Sequence, residues 1–131
     1  MDRDTCIIYI GRVFTVEWYF NRKGKSPGLK YFLKLTDGQR QKFYEMVIKI
    51  AEEGHLRNKT QFRYEGDGIY AFKPVPDRYL SFFTDDKKII VTNGFVKKKN
   101  KLPIEEKKRA LRLKQDYINR KREGKYYGND V

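Results

Sequence analysis

The first half of the chain combines one β-rich run with two segments of helical periodicity. Residues 13–20, VFTVEWYF, are rich in β-branched and aromatic types, which predicts a first strand. Gly, Ser and Pro cluster in residues 21–28 and predict a turn, followed by a short helix over Leu29–Leu35. From Asp37, apolar residues recur three and four positions apart, which predicts a longer helix with Asp37 as its N-cap and Gly54 at its end.

The second half predicts four short strands and a final helix. The tight turns between the strands favour an antiparallel meander, whose strands are 61–64, 69–73, 79–84 and 89–96. Pro103 suits the first turn of a helix, and Gly124 is expected to end it. One apolar stripe of this helix is predicted to comprise Ile104, Ala110, Leu111, Lys114 and Tyr117 or Ile118. The remaining KYYGNDV segment is expected to be loosely tethered.

This order of elements predicts an α+β fold, with a small antiparallel sheet packed against an N-terminal helical hairpin and a C-terminal helix. A chain of 131 residues fits one domain and can bury a core without disulfides or a structural metal. We therefore expect a single domain over residues 1–131, with a basic tail from about residue 118 to 131.

Charge adds a partner class to this picture. The chain has 30 Lys and Arg against 17 Asp and Glu, a net charge of +13, and 13 of the basic residues lie in residues 97–125. Such asymmetry favours a polyanion such as nucleic acid, although an anionic membrane surface or an acidic protein also fits. The single cysteine, Cys6, fits a reducing compartment, and no signal peptide or spanning segment is apparent. We expect a soluble, cytoplasmic protein without a membrane partner.

The inventory of catalytic residue types narrows the reaction class. His55 is the only histidine, so a two-histidine ribonuclease mechanism is excluded, and surface placement is expected for it. Nucleotide-binding loops and the common hydrolase motifs do not occur. The acidic pairs belong to predicted turns or to the start of the last helix, where structural roles are expected: Glu65 and Asp67, Asp85 and Asp86, Glu105 and Glu106. No metal or cofactor site is predicted.

Basic residues at strand ends form the strongest candidate site. Lys73 ends one predicted strand, Arg78 begins the next, and Lys97, Lys98 and Lys99 follow a third. Adjacent antiparallel strands can bring these positions together, where they would bind a phosphodiester. A solvated rim of charge that prevents edge pairing is an equally good interpretation of the pattern. Neighbouring aromatic residues favour RNA slightly, because exposed rings can stack on unpaired bases: Tyr64, Tyr70, Phe72 and Tyr79.

The same segments resemble the RelE/ParE toxin superfamily, and specifically its HigB-like, phage Gp49-like branch. The resemblance rests on FRYEGDGIYAFK, DRYLSFF, IIVTNGFVKKKNKLP and ALRLKQDY, which follow the family order from about Phe62 to Tyr117. It implies a RelE-like fold and the toxin half of a toxin–antitoxin pair. It also implies a metal-independent endoribonuclease that cleaves mRNA, often in the 30S decoding site of the ribosome, by attack of a 2′-hydroxyl on the adjacent phosphate.

Residue roles are implied position by position. Lys73 matches the basic residue of the middle strand, Arg78 matches an arginine suited to clamp the phosphate, and Lys98 is predicted to act as general acid or to stabilise the phosphate. These three residues are the predicted catalytic group. Additional RNA contacts are expected from Arg63, Lys97, Lys99 and Lys101. The expected partners are mRNA, the ribosome and a cognate antitoxin of the helix-turn-helix type.

Departures from the family pattern leave alternatives open. The family often has Glu-Leu-Arg where this chain has Ala71-Phe72-Lys73, and lysine lacks the bidentate geometry of arginine. Related nucleases often place a tyrosine or histidine at the site, for which Tyr117 and Tyr126 are the substitutes here, although packing roles are expected for both. A non-catalytic RNA- or ribosome-binding protein on the same scaffold is the second hypothesis. A gyrase-directed toxin of the ParE kind is the third.

Overall fold

The computed structural model describes residues 1–56, 58, 60–98 and 101–128, and these described residues form six strands and four helices. The helices are α1 (Arg3–Cys6), α2 (Pro27–Leu33), α3 (Asp37–Glu53) and α4 (Ile104–Arg122). The strands are β1 (Ile7–Ile10), β2 (Thr15–Trp18), β3 (Phe62–Tyr64), β4 (Tyr70–Phe72), β5 (Asp77–Phe83) and β6 (Lys88–Val96). In these described ranges, no helix has the length and apolar character that crossing a bilayer requires.

The sheet is mixed, with strand order β1-β2-β6-β5-β4-β3. The predicted meander is confirmed, because β3, β4, β5 and β6 pair antiparallel in sequence. The prediction of an entirely antiparallel sheet is wrong, because β2 pairs parallel with β6. Helices α2 and α3 and strands β3, β4 and β5 lie between these two strands in sequence, so the parallel pairing joins distant parts of the chain. Strand β1, which was not predicted, adds an antiparallel edge beside β2.

Local capping fixes the two N-terminal helices. The Ser26 side chain accepts a hydrogen bond from the Leu29 amide, so α2 begins two residues before the predicted start. Thr36, and not Asp37, is the N-cap of α3, where it forms a reciprocal capping box with Gln39. Gly54 ends α3 as predicted, with a φ of 83°, in the left-handed region that residues with a side chain rarely adopt.

Helices cover both faces of the sheet. On one face, the Phe43 ring of α3 stacks on Tyr79 of β5 with centroids 3.9 Å apart, and Trp18 packs beside both rings. On the other face, Tyr117 of α4 packs edge-on against Phe82 of β5, with centroids 5.4 Å apart. These two layers confirm the general α+β architecture, with α4 on the opposite side of the sheet from α3.

The predicted stripe of α4 is only partly correct. Ala110 and Tyr117 are buried, but Ile104 is 71% exposed at the first turn of the helix. Arg120 is buried instead, because its guanidinium donates to the Phe20 carbonyl oxygen at 2.8 and 3.0 Å and to the Asp116 carboxylate at 2.9 Å. A charged side chain with its donors satisfied can therefore occupy an interior helical position.

The segment after α4 is docked, which contradicts the expectation of a loose tail. Tyr126 and Tyr127 are buried. The Tyr126 hydroxyl accepts a hydrogen bond of 3.0 Å from the Phe20 amide, and the Tyr127 hydroxyl donates one of 2.6 Å to the buried Glu17. The expected basic tail from about 118 therefore begins inside α4 and continues into this docked segment, and residues 129–131 lie outside the described part of the chain.

Candidate functional site: a cationic cleft

A cleft of about 260 Å³ opens on the α4 side of the sheet, beside the start of that helix. Strand alternation explains its position, because Arg63 pairs with Ala71 and Arg78 pairs with Phe95 on this same face. Five cationic side chains of the predicted site and one carboxylate thus meet apolar residues of the sheet and of the loop before α4. The lining consists of Arg63, Glu65, Ala71, Lys73, Arg78, Phe95, Lys97, Lys101, Leu102 and Pro103.

Arg78 lies deepest among the cations and is only 7% exposed. Its Nη1 donates to the Asp77 carbonyl oxygen at 2.8 Å, which fixes the guanidinium at the start of β5. The Asp77 carboxylate accepts a hydrogen bond from the Tyr31 hydroxyl of α2, so this strand end is attached to the helix layer behind it. Burial lowers the pKa of Arg78 from its ordinary value, but an arginine remains charged at neutral pH.

Lys73 is the cleft lysine best suited to exchange a proton. Its pKa is lowered first by burial and then by the positive charges of Arg78 and Arg63. The carboxylate of Glu65 opposes this effect, and Lys97 adds to it. Burial and the crowding of like charge therefore increase the fraction of neutral Lys73 amine relative to an isolated lysine.

Glu65 is the residue that the sequence argument missed. The sequence predicts a structural role for it in a turn, but its side chain lines the cleft and is only 17% exposed. Its Oε1 lies 3.9 Å from Arg63 Nε, and it is the single carboxylate among the described lining residues. Its position immediately after β3, beside the predicted RNA contact Arg63, was the available signal.

Lys97 and Lys101 enter the cleft from the loop between β6 and α4. The Lys97 amide donates to the Pro76 carbonyl oxygen at 2.9 Å, which holds the start of this loop against the β4–β5 connection. Where the loop enters α4, the Glu106 carboxylate accepts a hydrogen bond of 3.0 Å from the side-chain amide of Asn93, a buried residue of β6. The Glu106 carbonyl oxygen accepts a second one from the same amide at 3.3 Å. These contacts fix the first turn of α4 relative to β6.

The remaining predicted residues lie elsewhere. Lys98 is exposed after β6 and does not line the cleft, and Lys99 lies outside the described residues. Tyr117 and Tyr126 are buried in the core, in accordance with the packing role expected for them. His55 is exposed after α3, away from the cleft lining, with its Nδ1 3.2 Å from the Glu53 carbonyl oxygen.

Asp67 and Asp86, in two turns of the meander, have structural contacts. Asp67 is 2.9 Å from Lys107 Nζ, which links the β3–β4 turn to α4, and this contact lowers the pKa of Asp67. Asp86 accepts a hydrogen bond from Thr84 and lies 3.1 Å from Lys88 Nζ. Across the described residues, no group of three or more His, Cys, Asp or Glu side chains is placed to hold a metal ion.

Comparison with known proteins gives one family and one fold. The model of the family described as "Phage derived protein Gp49-like" matches residues 30–115, which include the whole described cleft lining. No curated protein sequence matches the chain significantly. The earlier resemblance to the Gp49-like branch is therefore confirmed by an independent match over most of the chain.

Among solved structures, the chain is similar to one from the archaeal RelE–RelB complex of Pyrococcus horikoshii OT3. The TM-score is 0.50 and the sequences are 18% identical, and the match covers 64% of this chain and 94% of the archaeal chain. At that identity the similarity concerns the fold, which is RelE-like.

Proposed function

Since the chain belongs to the Gp49-like family of phage-derived proteins, we propose that it is the toxin of a toxin–antitoxin pair and cleaves mRNA. The observation that carries this proposal is the cleft, where Arg63, Lys73, Arg78 and Lys97 meet although they lie in or next to four different strands. Four clustered cations can stabilise the negative charge of a bound phosphodiester and the further charge that develops on it during the reaction. The proposed enzyme is a metal-independent, ribosome-dependent endoribonuclease of the cytoplasm.

The reaction is an internal transfer at phosphorus. The 2′-oxygen of one ribose loses its proton and bonds to the adjacent phosphorus, while the bond from phosphorus to the 5′-oxygen breaks. The products are a 2′,3′-cyclic phosphate and a 5′-hydroxyl end. Lys73 is the proposed proton acceptor in its neutral form, because burial and neighbouring positive charges lower its pKa and so increase the fraction of that form.

Arg78 is the proposed phosphate clamp. One of its Nη groups is held by the Asp77 carbonyl oxygen, which orients the planar fork. The N–H groups not used in that contact can donate to the nonbridging oxygens, which gain negative charge as the phosphorane forms. Because the guanidinium is already oriented and desolvated, little reorganisation is needed during the reaction.

The 5′-oxygen needs a proton as it leaves. The loop after β6 supplies the proposed donor: Lys97 lines the cleft, and Lys98, the sequence-based choice, is the neighbouring alternative. Arg63 and Lys101 are proposed to bind the flanking RNA backbone, with Lys99 as a further predicted contact. The proposed setting is mRNA in the 30S decoding site.

The structural similarity to the archaeal chain supports the proposal of an antitoxin partner. The archaeal chain of similar fold was solved as a RelE–RelB complex. We propose that this chain also binds a cognate antitoxin, of the helix-turn-helix type, which restrains the toxin. Co-purification of the chain with the product of a neighbouring gene, and recovery of RNA cleavage after their separation, would test this partner.

The cleavage test uses purified protein, mRNA and programmed ribosomes, with 5′ ends mapped by primer extension. New ends are expected only with ribosomes, and Arg78→Lys and Lys73→Met are expected to lower their yield about 100-fold or more. Arg112→Ala is the matched control, because Arg112 is an exposed α4 arginine outside the cleft. Equal cleavage by Arg78→Lys, Lys73→Met and wild type would contradict the site assignment.

A non-catalytic RNA-binding protein is the second candidate. It is favoured by the composition of the described lining, which contains no histidine or tyrosine and has Ala71 where the family often has glutamate. This alternative predicts tight, salt-dependent RNA binding with every fragment intact. The same mapping experiment separates the two functions, because binding without new 5′ ends supports the alternative.

A further inference from the structure

An exposed aromatic surface lies on the edge strand β3, beside the cationic cleft. Tyr64 is 54% exposed, although large apolar rings are usually buried. Phe62 and Tyr70 are partly buried next to it. Together with Thr60, Arg63 and Lys73, these three rings line an open groove of about 600 Å³, which we term the aromatic groove.

The rings of the aromatic groove are held in place before any ligand arrives. Phe62 and Tyr70 stack nearly parallel, with an interplanar angle of 8° and centroids 5.4 Å apart. Tyr64 lies against Tyr70 at 4.9 Å, and its hydroxyl oxygen accepts a hydrogen bond of 3.1 Å from the Gly68 amide. The exposed ring is thus held by its contact with Tyr70 and by the hydrogen bond at its hydroxyl, which reduces the entropy lost when a ligand stacks on it.

The aromatic groove is continuous with the cleft. Arg63 and Lys73 border both, so a chain that leaves the cleft across β3 passes directly over the rings. Strand alternation places Phe62 and Tyr64 on the face opposite Arg63, which puts the rings and the cations on two sides of the same edge. A polymer with phosphates and flat bases has the chemistry to contact both sides at once.

We propose that the aromatic groove binds an unpaired nucleobase of the same single-stranded RNA whose phosphate occupies the cleft. The base stacks on Tyr64, with Tyr70 and Phe62 supporting the ring, and Arg63 and Lys73 hold the phosphates that join it to the cleft. This inference rests on the proposed function for its ligand class, and it adds the requirement that the RNA next to the bound phosphate is unpaired and unstacked. Stacking on aromatic rings tolerates any base, so the groove contributes affinity and register without reading sequence.

The test compares two uncleavable probes by fluorescence anisotropy. One is a short fluorescein-labelled single-stranded RNA of mixed sequence with 2′-O-methyl riboses, which lack the attacking hydroxyl. The other has the same backbone and charge but abasic riboses. For the full-length protein, Tyr64→Leu is expected to weaken binding of the first probe roughly tenfold and to leave the second unchanged, while Tyr64→Phe retains most of the affinity. Tyr44→Leu, at an exposed tyrosine on α3, is the matched control.

Each outcome decides a specific point. Equal wild-type affinity for both probes, or unchanged binding by Tyr64→Leu, overturns the stacking site and leaves RNA binding by the cleft intact. Binding of neither probe by wild type overturns the inference, and the cleavage assay with programmed ribosomes decides the proposed function separately. If Tyr64→Leu loses both probes equally while its thermal unfolding matches wild type, the residue acts on the backbone, and stacking is refuted. If the thermal unfolding of Tyr64→Leu differs from wild type, Tyr64→Phe is the variant that tests the proposal. It keeps the ring, so a loss of its preference for the probe with bases would refute stacking by the ring.

Discussion

Tyr127→Phe should destabilise the protein by about 2 kcal/mol, because it removes the hydrogen bond of the docked C-terminal segment to a buried carboxylate. The Tyr127 hydroxyl donates to Glu17 Oε1 at 2.6 Å and accepts from Lys88 Nζ at 3.1 Å. Glu17 is completely buried, and the charged groups of Lys88 and Arg3 both lie 3.9 Å from its Oε2. Burial and the hydrogen bond to Glu17 raise the pKa of Tyr127, so the hydroxyl keeps its donating proton throughout the working range.

The assay is thermal and urea unfolding of wild type and variants followed by circular dichroism. Unfolding of 131 residues has an entropy of about 0.3 kcal/mol/K, so the expected loss corresponds to a Tm about 7 °C lower. Tyr44→Phe, at an exposed tyrosine, should change the free energy of unfolding by less than about 0.5 kcal/mol. In a double-mutant cycle, Glu17→Gln and Tyr127→Phe should couple by about 1 kcal/mol or more. A free energy for Tyr127→Phe within the range of the Tyr44 control would refute the docking of the hydroxyl on Glu17.

Three further predictions concern single side chains. Lys97→Ala should slow single-turnover RNA cleavage about tenfold or more beyond Lys98→Ala, because Lys97 lines the cleft and Lys98 does not; the reverse order would make Lys98 the proton donor. Glu65→Gln removes the charge that raises the pKa of Lys73, so the neutral Lys73 amine should persist to lower pH. The rising limb of the plot of kcat/KM against pH should therefore move to lower pH, and loss of activity at every pH would instead identify Glu65 as the base. Burial raises the pKa of Cys6 to about 12, so labelling by a thiol reagent at neutral pH should be slow in the native protein and fast in guanidinium, and fast native labelling would contradict the buried position.

The cationic cleft was predictable because it depends on strand ends. Lys73 follows β4, Arg78 is the second residue of β5 and Lys97 follows β6, and antiparallel neighbours bring such positions to one end of a sheet. The order of residues along the chain therefore carried the three-dimensional information. Which lysine after β6 turns inward depends on the course of one loop, and local pattern did not distinguish Lys97 from Lys98.

The parts that were missed depend on contacts between distant residues. The parallel pairing of β2 with β6 leaves no periodic signal in either strand. Strand β1 has only four residues, and its strand conformation depends on pairing with β2. Burial of Glu17 and Arg120 contradicts the usual preference of charged residues for the surface, and it is possible because Tyr127 and the Phe20 carbonyl oxygen supply partners from afar. The docked tail was missed for the same reason, since its tyrosines have no periodicity of their own.

The chemistry of the RNA ends tests the central claim most directly. Fragments made by the wild-type protein with mRNA and programmed ribosomes would be analysed for their terminal groups, with cleavage also assayed on free mRNA in EDTA. The account predicts 2′,3′-cyclic phosphate and 5′-hydroxyl ends that disappear with Arg78→Lys and persist with Arg112→Ala. Intact mRNA under every condition, or fragments with 5′-phosphate ends, would contradict it.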